Sequence, residues 1–447
     1  MKEYTRELVE FLQPLQAGDL PAEVLDRARY FLLDYLGVAI RGSREDSSAA
    51  VQRMIQRIGA NGCSTIIGTR MRTIPGLAAL ANGAAAHAIE MDDTHSGGSI
   101  HLGATMYSAA LALAETMPET SSDTFLAAVV AGFEAAARIA MAVQPKEHYA
   151  LGFHMTGTCG VFGAAITSAK LLGLSMQQTL AAVGIAGSMS AGSMEFLADG
   201  AWTKRIHPGL AAQNGIHAAL LAAEGFRGPQ RILEGRDGFL HGYSRNPVPE
   251  RLTEDLGESF EILHTAVKPH ACCRYMQGPI DAVLAIVREH NLEASQIHKI
   301  EVAVLEAGWG IVSEPREKKY NPESVVDTQF SMPFGAAIAT LDGAAGLAQF
   351  TAEKACSPQV REMMNKVELV KDPRIEETFP QEWPARVSIH LDAGQRFEKF
   401  VRYPKGDPEN PLTWDELAAK FHALTSRGDL VEAISSAKPS EIPALCS

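Results

Sequence analysis

The segment from Glu90 to Gly103 is the part of the chain best equipped for chemistry. It runs Glu-Met-Asp-Asp-Thr-His-Ser-Gly-Gly-Ser-Ile-His-Leu-Gly, so carboxylates, imidazoles and hydroxyls lie within fourteen residues. A polar, glycine-broken segment between two apolar helical runs is a common location for functional groups. The same residues could instead form a simple helix junction in which Asp92, Asp93 or Thr94 caps a helix end. The local pattern leaves both interpretations open.

A metal site is one conceivable use of these side chains, and the sequence argues against it. Asp92, Asp93, His95 and His101 carry ligand atoms, yet no H-E-x-x-H pair and no second carboxylate–histidine cluster lies near them in sequence. The six cysteines are scattered, with no C-x-x-C pair. We therefore predict no metal ion, and reduced thiols throughout.

Two further segments could bind an anion. Gly152–Gly160 (Gly-Phe-His-Met-Thr-Gly-Thr-Cys-Gly) opens a predicted helix, where backbone N–H groups are available to an anion. The alternative there is a tight turn with His154 as a helix cap. Trp202–Gly209 concentrates three basic residues before a helix. A solvated loop is the usual explanation for such a run, but the apolar and small neighbours favour a buried cationic site.

Two more polar segments lie in the second half of the chain. Lys268–Tyr275 (Lys-Pro-His-Ala-Cys-Cys-Arg-Tyr) falls at an inferred domain junction, where ligand sites commonly form. It could equally be a hinge whose charges pair with Asp or Glu. Asn321–Phe334 could belong to a site or could be only the N-capped start of a helix.

The elements that must position these segments are of two kinds. Over roughly the first 225 residues, apolar side chains recur at helical spacing, with Ala or Gly at many facing positions. The predicted helices there are 21–40, 47–58, 77–89, 104–117, 124–143, 160–172, 176–187 and 210–224.

The pattern changes near Lys268. Strand-like alternation marks 299–305, 385–391 and 397–403, the last two as a hairpin. Helices are predicted at 278–289, 328–341 and 360–367, and another from 413. We predict a mainly α fold with a large all-helical domain over 1–265, completed by 401–447, and a smaller α+β domain over 266–400.

Charge and hydropathy exclude several classes of partner. The 447 residues carry a net charge of −13, from 40 basic and 53 acidic side chains. This charge argues against nucleic acid and anionic membranes, although a local cationic pocket could still bind a small anion. The most apolar run, 125–143, is interrupted by Glu134 and Arg138, and the amino terminus lacks the apolar core of a secretory signal. We expect a soluble, cytoplasmic protein.

Taken in order, these segments resemble the MmgE/PrpD family, which includes 2-methylcitrate dehydratases, cis-aconitate decarboxylases and iminodisuccinate epimerase. The resemblance covers nearly the whole chain, and five ordered segments are far more specific than any one of them. The matching segments are 91–94 with His101, 152–165, 204–213, 268–275 and 325–334.

The resemblance implies a helical domain plus a smaller α+β lid with a chorismate-mutase-like fold, usually in a homodimer. It also implies an active site between the two that uses no metal and no organic cofactor. By motif position, the predicted catalytic residues are Asp93, His101, His154, Lys204 and Lys268. The predicted substrate-binding residues are Thr94, Arg205, His207 and Arg274.

Several of these positions depart from the usual family residues. Glu90 stands where the family decarboxylases carry Asp, and the histidine after the Asp-Asp-Thr triplet lies one residue farther along. His101-Leu-Gly replaces His-Pro-Gly, His154-Met-Thr replaces His-Pro-Thr, and Lys268-Pro-His-Ala replaces Lys-Pro-Tyr-Pro. Phe334 stands where some relatives have Tyr, so no phenol acid is available there. These changes leave the exact substrate open.

A di- or tricarboxylate substrate fits the predicted residues chemically. Lys204, Lys268 and Arg274 could hold its carboxylates and stabilise charge that develops on them. His101 or His154 could move the proton, although the sequence does not say which is acid and which is base. An aspartate such as the one at position 93 could orient that imidazole.

We therefore hypothesise a cofactor-independent lyase, either a dehydratase or a decarboxylase. Its substrate would be a citrate- or aconitate-like acid that loses a proton alpha to a carboxylate. The first alternative is an epimerase of a dicarboxylate such as iminodisuccinate, with a second base on the opposite face. The other alternative is a non-catalytic relative that binds carboxylates.

Overall fold

The computed structural model describes residues 2–447 and is mainly helical. Helices account for 57% of the chain and strands for 8%, so the predicted mainly α fold with a small sheet is confirmed. The helices of the first half are α1 (Tyr4–Leu12), α2 (Ala22–Gly42), α3 (Asp46–Ile58), α4 (Pro75–Ala86), α5 (Gly103–Ala114), α6 (Ser122–Val143), α7 (Pro145–Ala150), α8 (Met155–Leu171), α9 (Met176–Gly187), α10 (Phe196–Asp199), α11 (Thr203–Ala223) and α12 (Phe239–Tyr243).

The second half mixes helices with strands. Its helices are α13 (Arg274–Glu289), α14 (Glu306–Val312), α15 (Arg316–Tyr320), α16 (Val325–Gln329), α17 (Met332–Asp342), α18 (Ala352–Cys356), α19 (Pro358–Asn365), α20 (Pro373–Glu376), α21 (Trp414–Thr425), α22 (Leu430–Ser436) and α23 (Ile442–Leu445). The strands of the whole chain are β1 (Ser64–Thr65), β2 (Arg72–Thr73), β3 (Thr94–His95), β4 (Thr265–Ala266), β5 (Ile297–Ala303), β6 (Val367–Val370), β7 (Ala385–Leu391) and β8 (Arg396–Val401).

The chain divides into two compact units. The first contains the chain up to Glu195, Trp202–Thr265 and Thr413–Ser447, and the second contains Phe196–Ala201 and Ala266–Leu412. The second unit therefore extends twelve residues beyond the predicted end at 400 and includes α10. The assignment of these units to separate domains, and of the second to a chorismate-mutase-like lid, stays a prediction.

The interior of the first unit is built from closely packed small residues. Helix α11 packs against α4 and α8, and α6 packs against α8. A Cβ atom added to Gly209 of α11 would lie 2.1 Å from the Leu80 carbonyl oxygen of α4. One added to Gly163 of α8 would lie 2.5 Å from the Gly132 carbonyl oxygen of α6. The glycines thus permit the close helix approach that the Ala- and Gly-rich faces predict.

No segment was predicted to be long and apolar enough to cross a membrane, but helix α6 is so by length and composition. In the structure 94% of its most apolar window is buried inside the protein, as expected of a core helix. The two charged side chains in the buried part of this helix, Glu134 and Arg138, pair at 2.6 Å. The apolarity of α6 is therefore explained by the core it occupies.

The second unit contains a four-stranded sheet in the order β6–β5–β7–β8. The predicted hairpin is confirmed, since β7 and β8 pair antiparallel with Ala385 opposite Val401. The helix predicted at 360–367 corresponds to α19, and strand β6, which follows it and pairs parallel with β5, was not predicted. The helix predicted at 328–341 is in fact two helices, because Ser331 interrupts it and accepts the Phe334 N–H to start α17.

Candidate active site

Three buried imidazoles from three different elements lie together inside the first unit. His87 directly follows α4, His101 precedes α5, and His154 is the residue before α8. The ring centres of His87 and His101 are 4.6 Å apart, and that of His154 lies 5.8 Å from His87 and 6.3 Å from His101. One ring nitrogen of each lies within 4.8 Å of those of the other two. We call these three residues the histidine cluster.

His87 lies between a carboxylate and an ammonium group. Its Nδ1–H donates to Asp92 Oδ2 at 2.6 Å, and Nε2 accepts from Lys204 Nζ at 2.9 Å. Burial lowers the pKa of His87, with Asp92 opposing this shift and the Lys204 charge adding to it. The ring is therefore neutral at pH 7, with its proton on Nδ1.

Lys204 supplies the positive charge beside the cluster, from the first turn of α11. The predicted helix begins only at 210, with Lys204 in the polar segment before it, but α11 begins at Thr203 and contains Pro208. The Lys204 ammonium group pairs with the Glu90 carboxylate. Glu90 has a left-handed backbone (φ 56°), which disfavours residues other than glycine. An incoming carboxylate must therefore compete with Glu90 for Lys204.

His101 is held in one orientation by its own loop. Its Nδ1–H donates to the Asp93 carbonyl oxygen at 2.7 Å, and Thr94 Oγ1 lies 3.2 Å from the same nitrogen. The His101 N–H donates to Thr156 Oγ1 at 3.1 Å. In the neutral ring this arrangement leaves the lone pair on Nε2. The predicted grouping of Thr94 with His101 is thus present.

The carboxylate of Asp93 does not contact the imidazole that it was predicted to orient. It accepts the backbone N–H groups of Leu102 and Gly103 at 3.2 and 2.9 Å, which caps the start of α5. Burial, helped by Asp92, raises the pKa of Asp93 to about 7 against the lowering effect of these N–H groups. The carboxylate beside the rings is instead Asp92, which lies 3.4 Å from His101 Nδ1. The segment is thus both a capped junction and a lining of the site.

His154 and His207 form a pair of imidazoles whose Nδ1 atoms are 2.9 Å apart. Burial places the pKa of His154 well below its ordinary value, and the His207 and Lys204 charges lower it further. Burial likewise lowers the pKa of His207 to about 4. His154 occupies the N-cap position of α8, but its side chain makes no capping hydrogen bond. Its ring is thus part of the cluster and not the helix cap suggested as the alternative.

Of the remaining predicted residues, Arg205 lies in the first unit, and Lys268 and Arg274 lie in the second. Arg205 is buried and donates to Ser47 Oγ at 3.1 Å. Lys268 and Arg274 belong to the second unit, where Lys268 is fully buried. Arg274 pairs with Asp407, as the hinge alternative for its segment predicted. Catalytic and binding roles for these residues stay predictions.

Sequence reasoning missed His87 and the part played by Glu90 and Asp92. His87 was counted within a helix over 77–89, where a single histidine in an alanine-rich run carries little signal. His95 was predicted as a possible metal ligand, but its Nε2 atom bonds to Glu261 Oε2 at 2.8 Å. Among residues 2–447, the histidine cluster is the group of three potential ligands that comes together.

Two family models match this chain in order. The MmgE/PrpD N-terminal domain matches residues 6–252 and the MmgE/PrpD C-terminal domain matches residues 270–434. A cis-aconitate decarboxylase-like protein of Aspergillus oryzae is 30% identical over 446 residues, which cover 94% of this chain and 90% of that protein.

Two further relatives match over a similar share of both chains. A cis-aconitate decarboxylase of Aspergillus terreus is 29% identical over 94% of this chain and 89% of its own length. One of Mus musculus is 26% identical over 96% of this chain and 88% of its own length. Because both domain models match in order and together span most of the sequence, this chain belongs to the MmgE/PrpD family.

Proposed function

We propose that this protein is a lyase that decarboxylates cis-aconitate or a closely similar unsaturated tricarboxylic acid. The observation that carries the proposal is one ammonium group, on Lys204, set among three buried imidazoles. The names of the relatives support the same reaction class, since they are cis-aconitate decarboxylases matched over nearly their whole length.

Binding of such a substrate begins with an exchange of carboxylates at Lys204. In the structure Glu90 neutralises this ammonium group. A substrate carboxylate that takes the place of Glu90 gains a charge-assisted hydrogen bond in a buried site. We propose that Lys268, Arg274 and Arg205 bind the remaining carboxylates.

The rings of the histidine cluster then move the proton. As one carboxylate leaves as CO₂, the electron pair of the broken C–C bond forms a new C=C bond. The electron pair of the original double bond moves to the far carbon of that bond. That carbon takes a proton from His101 or His154. Burial keeps His154 neutral before binding, and the negative charge of a bound tricarboxylate favours its protonated form. Substrate binding thus favours protonation of His154, which supplies the general acid that the reaction needs.

The direct test is to incubate the purified, EDTA-dialysed protein with cis-aconitate in D₂O and follow the products by mass spectrometry. We expect CO₂ release and an unsaturated dicarboxylate that carries one deuterium on carbon. Citrate, methylcitrate and iminodisuccinate serve as parallel substrates.

Other outcomes would contradict the proposal in distinct ways. Loss of water in place of CO₂ would identify a dehydratase. Deuterium exchange without loss of mass would identify the epimerase alternative. Binding of these acids without turnover would identify a non-catalytic relative, and activity that EDTA abolishes would contradict cofactor independence. A homodimer in the cytoplasm is proposed from the family resemblance alone.

A further inference from the structure

We propose that His87, His101 and His154 form a binding site for a divalent transition-metal ion such as Zn²⁺, and that this ion and the Lys204 ammonium group compete for the site. The ion is a competitor in this proposal and takes no part in the reaction.

The first support is the convergence of the rings. One ligand nitrogen from each of the three side chains lies within 4.8 Å of the other two, and all three residues are buried. Tetrahedral zinc with Zn–N distances of about 2.0–2.1 Å holds its nitrogens about 3.3–3.4 Å apart. The rings would need to close by about 1.5 Å at most, which small side-chain rotations provide.

The second support is that the Nδ1 atom of each ring already makes a hydrogen bond, which sets the orientation of the ring. His87 donates from Nδ1 to the Asp92 carboxylate at 2.6 Å, and His101 donates from Nδ1 to the Asp93 carbonyl oxygen at 2.7 Å. His154 uses Nδ1 for its bond to His207 at 2.9 Å. Metal-binding histidines characteristically hold a carboxylate or backbone carbonyl with the nitrogen that does not face the metal. The partners of His87 and His101 follow that pattern, and the partner of His154 is another imidazole.

The third support is that a cation already occupies this place. The ammonium group of Lys204 donates to His87 Nε2 at 2.9 Å and pairs with Glu90. A metal ion needs that same nitrogen, so it must displace the ammonium group. Three imidazole nitrogens with water in the fourth position form a ligand set that zinc accepts in proteins.

The experiment is calorimetric titration of the EDTA-dialysed protein with ZnCl₂ in the absence of substrate. We expect one ion per chain, with at least tenfold weaker binding in each of His87→Gln, His101→Gln and His154→Gln. The matched control is His148→Gln, because His148 is also buried in the first unit but uses both nitrogens, on the Tyr243 carbonyl oxygen and Thr158 Oγ1. This control should bind zinc as the unaltered protein does.

Lys204→Met gives the sharpest contrast. Removing the competing ammonium group should tighten zinc binding at least tenfold, whereas a lysine that takes no part would leave the affinity unchanged. CoCl₂ provides a second measurement on the unaltered protein. The visible bands of tetrahedral Co²⁺ without a thiolate charge-transfer band are expected, which separates this site from the cysteines.

The proposal is overturned by binding well below one ion per chain, by unchanged affinity in the three histidine variants, or by unchanged affinity in Lys204→Met. Thiolate bands with Co²⁺ would also overturn it. Melting curves identify any variant that fails to fold, and the Co²⁺ spectrum then decides. Because no substrate is present, failure of this inference leaves the proposed decarboxylation standing, and failure of the decarboxylation leaves the metal site standing.

Discussion

Two buried polar clusters in the first unit each take one histidine from the same loop, yet they differ in kind. His101 joins the histidine cluster, while His95, six residues earlier, joins Glu134, Arg138 and Glu261. We call the latter four residues the ion-pair cluster. Both clusters are deep inside the protein and both combine imidazole with carboxylate and cation.

The difference lies in where the hydrogen bonds go. In the ion-pair cluster, His95 uses both nitrogens, on Glu261 Oε2 at 2.8 Å and on the Gly98 N–H at 2.9 Å. Glu134 accepts from Arg138 Nε at 2.6 Å and from the Glu261 N–H at 2.7 Å. These bonds tie chain segments together. In the histidine cluster one nitrogen of each ring lies within 4.8 Å of those of the other two, and His87 Nε2 accepts from Lys204 Nζ at 2.9 Å. Burial of charge is therefore common to both clusters, whereas the convergence of ring nitrogens distinguishes the histidine cluster.

The largest expected effect is on catalysis by Lys204. Lys204→Met should lower kcat/KM for cis-aconitate by about 10³-fold, because it removes the cation on which a substrate carboxylate depends. The change also leaves Glu90 buried without its partner, so Glu90→Gln/Lys204→Met is the matched control for folding. Steady-state kinetics and melting curves on both variants measure this. A double variant that is stable and active would remove Lys204 from the mechanism.

Arg138→Met tests the ion-pair cluster, where we expect a loss of stability with little change in kcat. It leaves the buried Glu134 carboxylate uncompensated, so the free energy of unfolding should fall by at least about 3 kcal/mol. The kcat of the protein that remains folded should stay within about threefold of the original, since no ring of the histidine cluster is touched. Urea unfolding and kinetics at low temperature check both values. A large loss of kcat at full stability would contradict the distinction between the clusters.

The two histidines of the loop allow a paired comparison. If His101 is the proton donor of the proposed mechanism, His101→Gln should lower kcat by about 10²-fold. His95→Gln should leave kcat unchanged and lower the free energy of unfolding by about 1–3 kcal/mol through its lost bond to Glu261. Equal effects of the two substitutions on kcat would show that the loop acts only as a structural unit.

The smallest effect concerns the dependence of stability on pH. Burial lowers the pKa of His207 to about 4, whereas an unfolded histidine titrates near 6.5. Between these values the unfolded chain binds the proton and the folded chain does not, so His207 reduces stability as pH falls from about 6.5 to 4. In His207→Gln this loss should shrink by about 1 kcal/mol between pH 6.5 and 5. Melting temperatures across this range, with the exposed His241→Gln as control, provide the measurement.

The sequence predicted the elements well where periodicity was strong and the site only in part. Predicted helix 176–187 coincides with α9, and strand 385–391 coincides with β7. His101 and His154 were found because each stands in a glycine-rich polar segment. His87 was not, because its partners come from the left-handed turn at Glu90 and from α11, and such tertiary contacts leave no local pattern. Asp93 was assigned an orienting role since proximity in sequence does not reveal that its carboxylate caps α5.

The bond between His154 and His207 has a further consequence. Two neutral imidazoles whose Nδ1 atoms are 2.9 Å apart share a single hydrogen between those atoms. If that hydrogen sits on His154, the far nitrogen of the ring is a base; if it sits on His207, the far nitrogen of His154 must carry a hydrogen and becomes a donor. Transfer of one proton between the two Nδ1 atoms, with a change of tautomer in both rings, would therefore convert the far nitrogen of His154 from an acceptor into a donor. The net charge of the site would not change.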